Sequence, residues 1–164
     1  MQKDTILDLY DRYADMVYRI ALSYLKNQHD AEDAVQSVFM KFIDGRAFPE
    51  AGKEKAFITR ICINHCKDVF RSAWRNKIDI TEDLTHIPMP KEDETLEIVM
   101  ALPLKYRLAI YLHFYEGYTF KEIGNLLNIS SSAVSMRIHR GKKLLEELLL
   151  EDSNESNRKS YKSL

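Results

Sequence analysis

Residues 119–143 of this 164-residue chain read TFKEIGNLLNISSSAVSMRIHRGKK and predict two short helices joined by a tight turn. Thr119 and Glu122 have the spacing of a capping box at the start of the first helix. Asn128 lies in the turn, and Ser130 is placed to cap the second helix. Two capped helices separated by a three-residue turn are typical of a helix-turn-helix, which reads duplex DNA. The same pattern also fits a surface helical hairpin with a basic end.

The second helix of this motif carries the candidate contacts to duplex DNA. With Val134 facing the core, a rotation of about 100° per residue points Ser132, Met136 and His139 outward. Short hydroxyl side chains at the helix start can approach base edges, and the cations further along can neutralise phosphates. The residues assigned to this surface are Ser131, Ser132, Ser135, Arg137, His139, Arg140, Lys142 and Lys143.

Apolar residues recur at helical spacing outside the motif as well, over residues 6–24, 31–42 and 57–74. The chain has five glycines and four prolines, too few for a β-sandwich or a nucleotide-binding sheet with glycine loops. We therefore expect an all-α protein, with Asp30 capping the second helix. Later helices are expected over residues 95–102 and from Pro103 to about Glu116.

These helices are predicted to form two small helical domains joined by a linker. The first domain covers residues 1–75 and holds a three-helix bundle. Residues 76–94 lose the helical periodicity, contain Pro88 and Pro90, and are read as an acidic linker. The second domain covers residues 95–150 with the helix-turn-helix, and residues 151–164 form a polar tail that we expect to be frayed or disordered.

Charge alternates strongly along the chain although its formal net charge is only −1. Residues 51–78 carry a net +5, residues 79–102 a net −6 and residues 103–150 a net +3. Two basic blocks indicate two anion-binding surfaces, although such runs also occur as ordinary solvated faces. In the first block cations alternate with aromatic rings, a composition that suits unpaired nucleic acid, and Trp74 is the stacking candidate.

Cys62, His65 and Cys66 share one face of a predicted helix, which raises the question of a metal site. A structural zinc site needs four ligands and no fourth is near, so we expect a buried cysteine pair and no metal. No phosphate loop or nucleophile elbow is present, so neither an enzyme, a cofactor nor a small-molecule substrate is expected. Without a signal peptide or a long apolar run, the chain is expected to be cytoplasmic and not inserted in a membrane.

Three stretches of this chain resemble the bacterial sigma-70 family of transcription initiation factors, in its extracytoplasmic-function group. Residues 30–39, DAEDAVQSVF, resemble the core-polymerase-binding helix of sigma region 2. Residues 57–64, FITRICIN, resemble the promoter-melting helix, and residues 102–143 resemble sigma region 4. Gly124 and Gly141 stand where that family has helix-favouring alanines, at a cost of about 1 kcal/mol each.

The resemblance implies a promoter-recognition subunit of RNA polymerase that performs no bond chemistry itself. Region 2 would bind the clamp helices of the largest polymerase subunit, and region 4 the flap of the second-largest subunit. Region 2 would open the minus-ten element of promoter DNA, region 4 would read the minus-thirty-five element, and an anti-sigma factor would hold the protein inactive. The polymerase contacts would be Asp30, Asp33, Gln36 and Phe39. The melting residues would be Arg60, Asn64, Lys67, Asp68, Arg71, Trp74 and Arg75.

Two other functions remain open at this point. A stand-alone dimeric helix-turn-helix regulator would use the same recognition helix, but it has no need of the acidic helix at residues 30–39. A nucleic-acid enzyme or a metal-dependent redox sensor would use Cys62, His65 and Cys66. Binding to core polymerase separates the first of these from the sigma-factor hypothesis, and metal content with thiol reactivity separates the second.

Overall fold

The computed structural model describes residues 3–45, 52–75 and 94–162, and the chain divides into two compact units between residues 88 and 89. Every regular element in these three ranges is helical. The predicted all-α fold of two small helical domains is therefore confirmed. Residues 76–93 of the predicted linker lie outside the described residues. No described helix is both long enough and apolar enough to cross a membrane.

The first unit is a bundle of three helices that pack against one another, α1 (Lys3–Leu25), α2 (Gln28–Ile43) and α3 (Glu54–Arg75). Each helix contributes fully buried apolar side chains to one core, among them Leu9, Val17, Ile20, Val38, Phe42, Ile58 and Ile63. A junction of two residues connects α1 to α2, so the first two helices run antiparallel. The bundle therefore places the N-terminal end of α1 beside the C-terminal end of α2.

The start of α2 differs from the sequence prediction. Asn27, not Asp30, is the cap, and its side-chain oxygen accepts a hydrogen bond from the Asp30 backbone N–H at 2.9 Å. Asn and Asp cap helices about equally well, so local preference cannot choose between them. Lys26 adopts a left-handed φ of 48° directly after α1, which starts the next helix at once. Asp30 thus lies in the first turn, where its negative charge interacts favourably with the helix dipole.

The second unit contains α4 (Glu94–Met100), α5 (Leu104–Ile110), a π-helical segment (Tyr111–Tyr115), α6 (Phe120–Leu127) and α7 (Ser131–Lys162). Helices α4, α5 and α6 all pack against α7. Its core includes a cluster of Val99, Leu102 and Ile110, against which three leucines of α7 pack, Leu144, Leu145 and Leu148. The sequence predicts Pro103 in the first turn of α5, but in the structure it is the N-cap that precedes Leu104.

The π-helical segment replaces the last turn of a helix that was predicted to run without interruption to Glu116. The Glu116 N–H donates to the Tyr111 carbonyl at 3.3 Å, five residues back, and the Tyr118 N–H donates to Leu112 O at 3.0 Å. The Tyr111 hydroxyl also donates to the Glu116 carboxylate at 2.6 Å. Phe114 lies in this segment, and 52% of it is exposed to solvent.

The helix-turn-helix forms with the caps that the sequence predicts. Thr119 Oγ1 accepts from the Glu122 N–H at 3.2 Å, and the Glu122 carboxylate accepts from the Thr119 N–H at 2.7 Å. Asn128 ends α6 in the left-handed conformation with φ of 57°. Ser130 Oγ then accepts from the Ala133 N–H at 3.0 Å and starts α7. Both predicted caps are confirmed.

Both glycines that replace the family's alanines lie at close approaches of the chain to itself. A Cβ on Gly124 would lie 2.7 Å from the carbonyl oxygen of Ile129, because the turn folds back onto α6 there. A Cβ on Gly141 would lie 2.6 Å from Ile110 Cδ1, where α5 crosses α7. At Gly124 the neighbour is backbone, so alanine would disturb the turn, whereas at Gly141 the end of the Ile110 side chain would have to move.

Helix α7 continues well beyond its predicted end at Leu150. It extends to Lys162, so the prediction of a frayed or disordered tail from Glu151 is wrong. Adding residues to a helix that already exists needs no new nucleation, and residues 151–162 contain neither proline nor glycine to stop it. Residues 146–162 of α7, which include this continuation, are called the α7 extension.

We expect Gly124→Ala to destabilise the second unit by about 1–3 kcal/mol. The added methyl group would clash with the backbone oxygen of Ile129, which cannot move away as a flexible side chain can. Urea unfolding followed by far-UV circular dichroism measures the change. Asn125→Ala, at an exposed position of the same helix, is the control and should leave stability unchanged or higher. A Gly124→Ala variant as stable as the parent chain would contradict this account of the turn.

Candidate nucleic-acid interface

The first three turns of α7 present a continuous polar surface, called the α7 basic surface. Its exposed members are Ser131, Ser132, Ser135, His139, Arg140, Lys142 and Lys143, and Arg137 is half-buried beside them. Val134 and Ile138 on the opposite face are buried in the core. The predicted orientation of this helix is therefore correct, and all eight residues assigned to it lie on one connected surface.

The cations of the α7 basic surface lack nearby acidic partners in the described part of the chain. The salt bridges seen there lie in α1 and α2, and none includes Arg137, Arg140 or Lys143. The free N–H groups and the dipole at the start of α7 add further positive potential. Such a surface attracts phosphate groups.

Lys142 is positioned by an aromatic cluster that sequence reasoning missed. Its ammonium lies over the ring of Phe114, 5.0 Å from the centroid. His113 packs edge-on against Phe114 at 4.8 Å, and its Nδ1 lies 2.7 Å from the Tyr118 carbonyl oxygen. A cation held over an aromatic face keeps its charge while losing some freedom of movement. Nothing in the helical periodicity signalled the π-helical segment that exposes Phe114.

A second polar surface runs along α3 and is called the α3 polar face. Its exposed members are Arg60, Asn64, Asp68, Arg71 and Arg75, and Lys67 is half-buried. The opposite face is buried through Ile58, Cys62 and Cys66. Steps of three and four residues between the exposed positions place these side chains in one row along the helix. Trp74 lies in α3, but its side chain is outside the described part of the structure.

The candidate polymerase contacts on α2 divide into two groups. Asp33 and Gln36 are exposed and Asp30 is half-buried, so these three can reach a partner. Phe39 is only 4% exposed, and its ring packs edge-on against Tyr10 with 5.0 Å between centroids. The structure therefore corrects the assignment of Phe39, because its ring fills the core between α1 and α2.

A groove of about 430 Å³ between α1 and α2 lies next to these contacts and was not predicted. It is lined by Tyr10, Ala14, Asp15, Tyr18, Glu32, Val35 and Gln36. Burial and the negative charge of Glu32 raise the pKa of the Tyr18 hydroxyl above its ordinary value. The sequence pattern assigned Tyr10 to the apolar stripe of α1, which hid its part in the groove.

Cys62 and Cys66 form the buried pair that the sequence predicts. Cys62 Sγ lies 3.6 Å from the Val17 carbonyl oxygen, to which the thiol donates. A hydrogen bond with Cys66, together with burial, raises the pKa of Cys62 well above its usual range. Burial, followed by the positive charge of Lys41, lowers the pKa of His65. Among the described residues, no group of three His, Cys, Asp or Glu side chains is arranged to hold a metal ion.

Comparison with known proteins gives two family matches in the same order as the two units. The model of Sigma-70 region 2 matches residues 9–76, and the model of Sigma-70, region 4 matches residues 92–145. The RNA polymerase sigma factor CarQ of Myxococcus xanthus is 30% identical, over 90% of each chain. The chain belongs to the sigma-70 family. Its relatives place it in the extracytoplasmic-function group of that family.

Two further relatives bear on the length and the fold of this sigma factor. It is 30% identical to the ECF RNA polymerase sigma factor SigE of Mycolicibacterium smegmatis, over 91% of this chain and 63% of that relative's length. It shares its fold with the sigma factor RpoE of Bartonella quintana, solved in complex with the anti-sigma factor NepR. Their TM-score is 0.68 at 20% identity, covering 90% of this chain and 98% of RpoE.

In this sigma factor the match to region 2 covers most of the first unit, and the match to region 4 covers α4 to the middle of α7. The α3 polar face and the α1–α2 groove thus belong to region 2, and the α7 basic surface belongs to region 4. The α7 extension begins at residue 146, directly after the end of the region 4 match.

We expect both thiols of the native sigma factor to react slowly with a thiol-specific disulfide reagent at neutral pH. Their burial blocks the reagent, and the raised pKa of Cys62 keeps the reactive thiolate scarce. Absorbance of the released thiol measures the rate, and both thiols should react quickly once the chain is unfolded in denaturant. Ser153→Cys supplies an exposed thiol on α7 as a control that reacts at once. Fast reaction of the native parent chain would show that the pair is not buried.

Proposed function

We propose that this sigma factor binds core RNA polymerase in the cytoplasm and directs it to specific promoters. In this proposal region 4 reads the minus-thirty-five element and region 2 opens the minus-ten element. The α7 basic surface is the observation that carries the proposal, because it combines exposed hydroxyls with unneutralised cations at the start of a capped recognition helix. Duplex DNA offers base edges and phosphates to the same helix.

The α7 basic surface has two parts with different proposed roles in recognising duplex DNA. Ser131, Ser132 and Ser135 lie nearest the helix start, where short side chains let the backbone approach the floor of the major groove. Arg137, Arg140 and Lys143 follow within about three turns and contact phosphates on either side of that groove. The serines then contribute sequence preference, and the cations contribute affinity and register.

Opening of the duplex is assigned to the α3 polar face. Asn64 and Asp68 can form hydrogen bonds with the edges of bases that are no longer paired, while Arg60 and Arg71 hold the backbone. A surface that binds unpaired bases better than paired ones shifts the equilibrium towards open DNA without any bond chemistry. The sigma factor is accordingly proposed to act as an initiation factor and not as an enzyme.

Docking on the polymerase is assigned to α2 in region 2. Asp33 and Gln36 are exposed there, and Glu32 lines the adjacent α1–α2 groove. An acidic surface of this kind suits basic side chains on the clamp helices of the largest polymerase subunit, and it repels DNA. Region 4 would contact the flap of the second-largest subunit, which places the two DNA-reading surfaces on one enzyme.

An inhibitory protein is also part of the proposal. The sigma factor RpoE of Bartonella quintana, which has a similar fold, was solved in complex with the anti-sigma factor NepR. By analogy we propose that an anti-sigma factor holds this chain inactive by covering its acidic docking surface. Such an inhibitor would compete directly with the polymerase.

Purification with core polymerase, followed by run-off transcription from candidate promoters, tests the proposal as a whole. Failure of the sigma factor to bind core polymerase with no inhibitor present would end it. The alternative, a stand-alone dimeric regulator, predicts tight binding to a palindromic operator without polymerase. That alternative is not favoured, because the relatives are sigma factors and a stand-alone regulator does not need the acidic face of α2.

Arg140→Ala should weaken binding to promoter DNA and lower the slope of log K against log salt by about one. Removing an exposed cation removes one phosphate contact and the counterion release that accompanies it. Fluorescence anisotropy of holoenzyme on labelled promoter DNA at several salt concentrations measures both quantities. Arg158→Ala removes an exposed arginine from the α7 extension of the same helix and should leave both unchanged. An equal effect of the two variants would refute the specific role of the α7 basic surface.

Asp33→Lys should weaken binding to core polymerase by about tenfold or more, because reversing a charge introduces repulsion into a complementary interface. Asp44→Lys makes the same charge change at the exposed end of the same helix and should have little effect. Competition between labelled parent chain and each variant for core polymerase measures relative affinity. If both variants bound as tightly as the parent, the acidic face of α2 would not be the docking surface.

A further inference from the structure

One exposed residue among the members of the α7 basic surface has no part in the proposed function. Met136 is apolar and 52% exposed, although its neighbours on both sides in the chain are polar. It is the sixth residue of α7 and lies in the second turn of that helix. The roles given to the serines and the cations leave this side chain unused, because a thioether neither neutralises a phosphate nor donates a hydrogen bond.

Met136 lies at the centre of the helix face that points away from the core. Val134 and Ile138, two residues before it and two residues after it, are buried. At about 100° per residue, Met136 is therefore turned about 160° away from both of them, on the far side of the helix. Arg137, in contrast, is half-buried at the edge of this face. When a recognition helix enters the major groove, side chains at the centre of the outward face come nearest to the base edges.

The neighbours of Met136 on this face are polar and exposed. Ser132 lies one turn before it, and His139 and Arg140 lie one turn after it. A serine side chain is short, so it allows the helix backbone to come close to the groove floor. Arg140 can hold a phosphate and so fix the helix in the groove. The longer side chain of Met136 extends from the middle of this row towards the bases.

An apolar side chain in this position contributes to binding only if it meets an apolar group of the DNA. Contact with a base oxygen or amine would remove water from that polar atom without replacing its hydrogen bond, which costs free energy. In the major groove the apolar group that base pairs present is the C5 methyl group of thymine. Methionine suits this contact, because its unbranched and polarisable side chain adapts to irregular surfaces.

We propose that Met136 is a specificity-determining residue that contacts the C5 methyl group of one thymine in the minus-thirty-five element. The inference rests on the proposed function, in which α7 reads that element. Burial of the methyl group against the thioether favours thymine at this base pair over any base that lacks the methyl group. The serines act through hydrogen bonds and the cations through phosphates, so Met136 adds an apolar component to recognition that involves no release of counterions.

The test uses holoenzyme reconstituted from core polymerase and the full chain, on a promoter from which the parent chain supports run-off transcription. Each thymine of the minus-thirty-five element is replaced in turn by deoxyuridine, which pairs with adenine in the same way but lacks the C5 methyl group. Fluorescence anisotropy measures the affinity of holoenzyme containing the parent chain, Met136→Ala or Met136→Leu. The control, Leu150→Ala, removes another exposed apolar side chain from the same helix outside the α7 basic surface.

We expect deoxyuridine at one position to weaken binding of the parent holoenzyme by about three- to fivefold, the factor that corresponds to burial of one methyl group. Met136→Ala should bind the unmodified promoter more weakly by about the same factor and should no longer distinguish thymine from deoxyuridine at that position. Met136→Leu should keep the distinction, because leucine is also apolar, and Leu150→Ala should behave as the parent. The salt dependence of binding should be the same for Met136→Ala as for the parent, since no charge is removed.

An equal loss from deoxyuridine in the parent and in Met136→Ala would overturn the inference, because the methyl group would then act through another residue. A parent holoenzyme that binds every deoxyuridine promoter as tightly as the unmodified one would overturn it as well, and so would a minus-thirty-five element without thymine. The proposed function would stand in all three cases. Weaker binding of Met136→Ala to core polymerase, with the thymine preference retained, would place Met136 against a protein and overturn the inference too. Failure of the parent chain to bind core polymerase would end the proposed function and this inference with it.

Discussion

The tight turn between α6 and α7 is the constraint on which region 4 depends. The Ile129 N–H donates to the Gly124 carbonyl at 3.0 Å, and the Ile129 carbonyl occupies the space where a side chain at residue 124 would start. This contact determines the angle at which α7 leaves α6, and with it the burial of Val134 and Ile138. Because those two side chains face the core, the serines and cations on the other side of the helix face solvent. The exposure of the α7 basic surface thus follows from a backbone contact in the turn that precedes it.

Charge is separated within each unit, and this separation gives each unit two kinds of surface. In region 2, α2 carries three acidic residues and one lysine, whereas α3 carries five lysines and arginines and two acidic residues. In the second unit both signs occur along the single helix α7, with cations at residues 137–143, acids at residues 146–155 and cations again from Arg158. Phosphate-bearing partners are attracted to one surface of each unit and repelled by the other. This arrangement suits the proposed function, in which the chain holds DNA and other proteins at the same time, although the near-neutral net charge gives no sign of it.

The elements that could be predicted from the sequence share a local physical cause. The capping box at Thr119, the cap at Ser130 and the left-handed Asn128 each involve residues within four positions of one another, so their patterns determine their structure. The outward direction of the α7 basic surface followed from one buried valine and the helical period. The α3 polar face and the buried cysteine pair followed in the same way. Resemblance to a family supplied the roles, which periodicity alone does not contain.

The sequence by itself determined the helical class of the fold, the helix-turn-helix and the order of its charged blocks, because these depend on residues close together in the chain. Only the three-dimensional structure decided the burial of Phe39, the cap at Asn27, the π-helical segment with its exposed Phe114, and the groove between α1 and α2. The burial of Phe39 and the groove depend on how helices pack: the ring of Phe39 lies against Tyr10 of α1, and residues of both helices line the groove. Contacts between helices that are distant in sequence leave no periodic pattern, so only the packed structure reveals them.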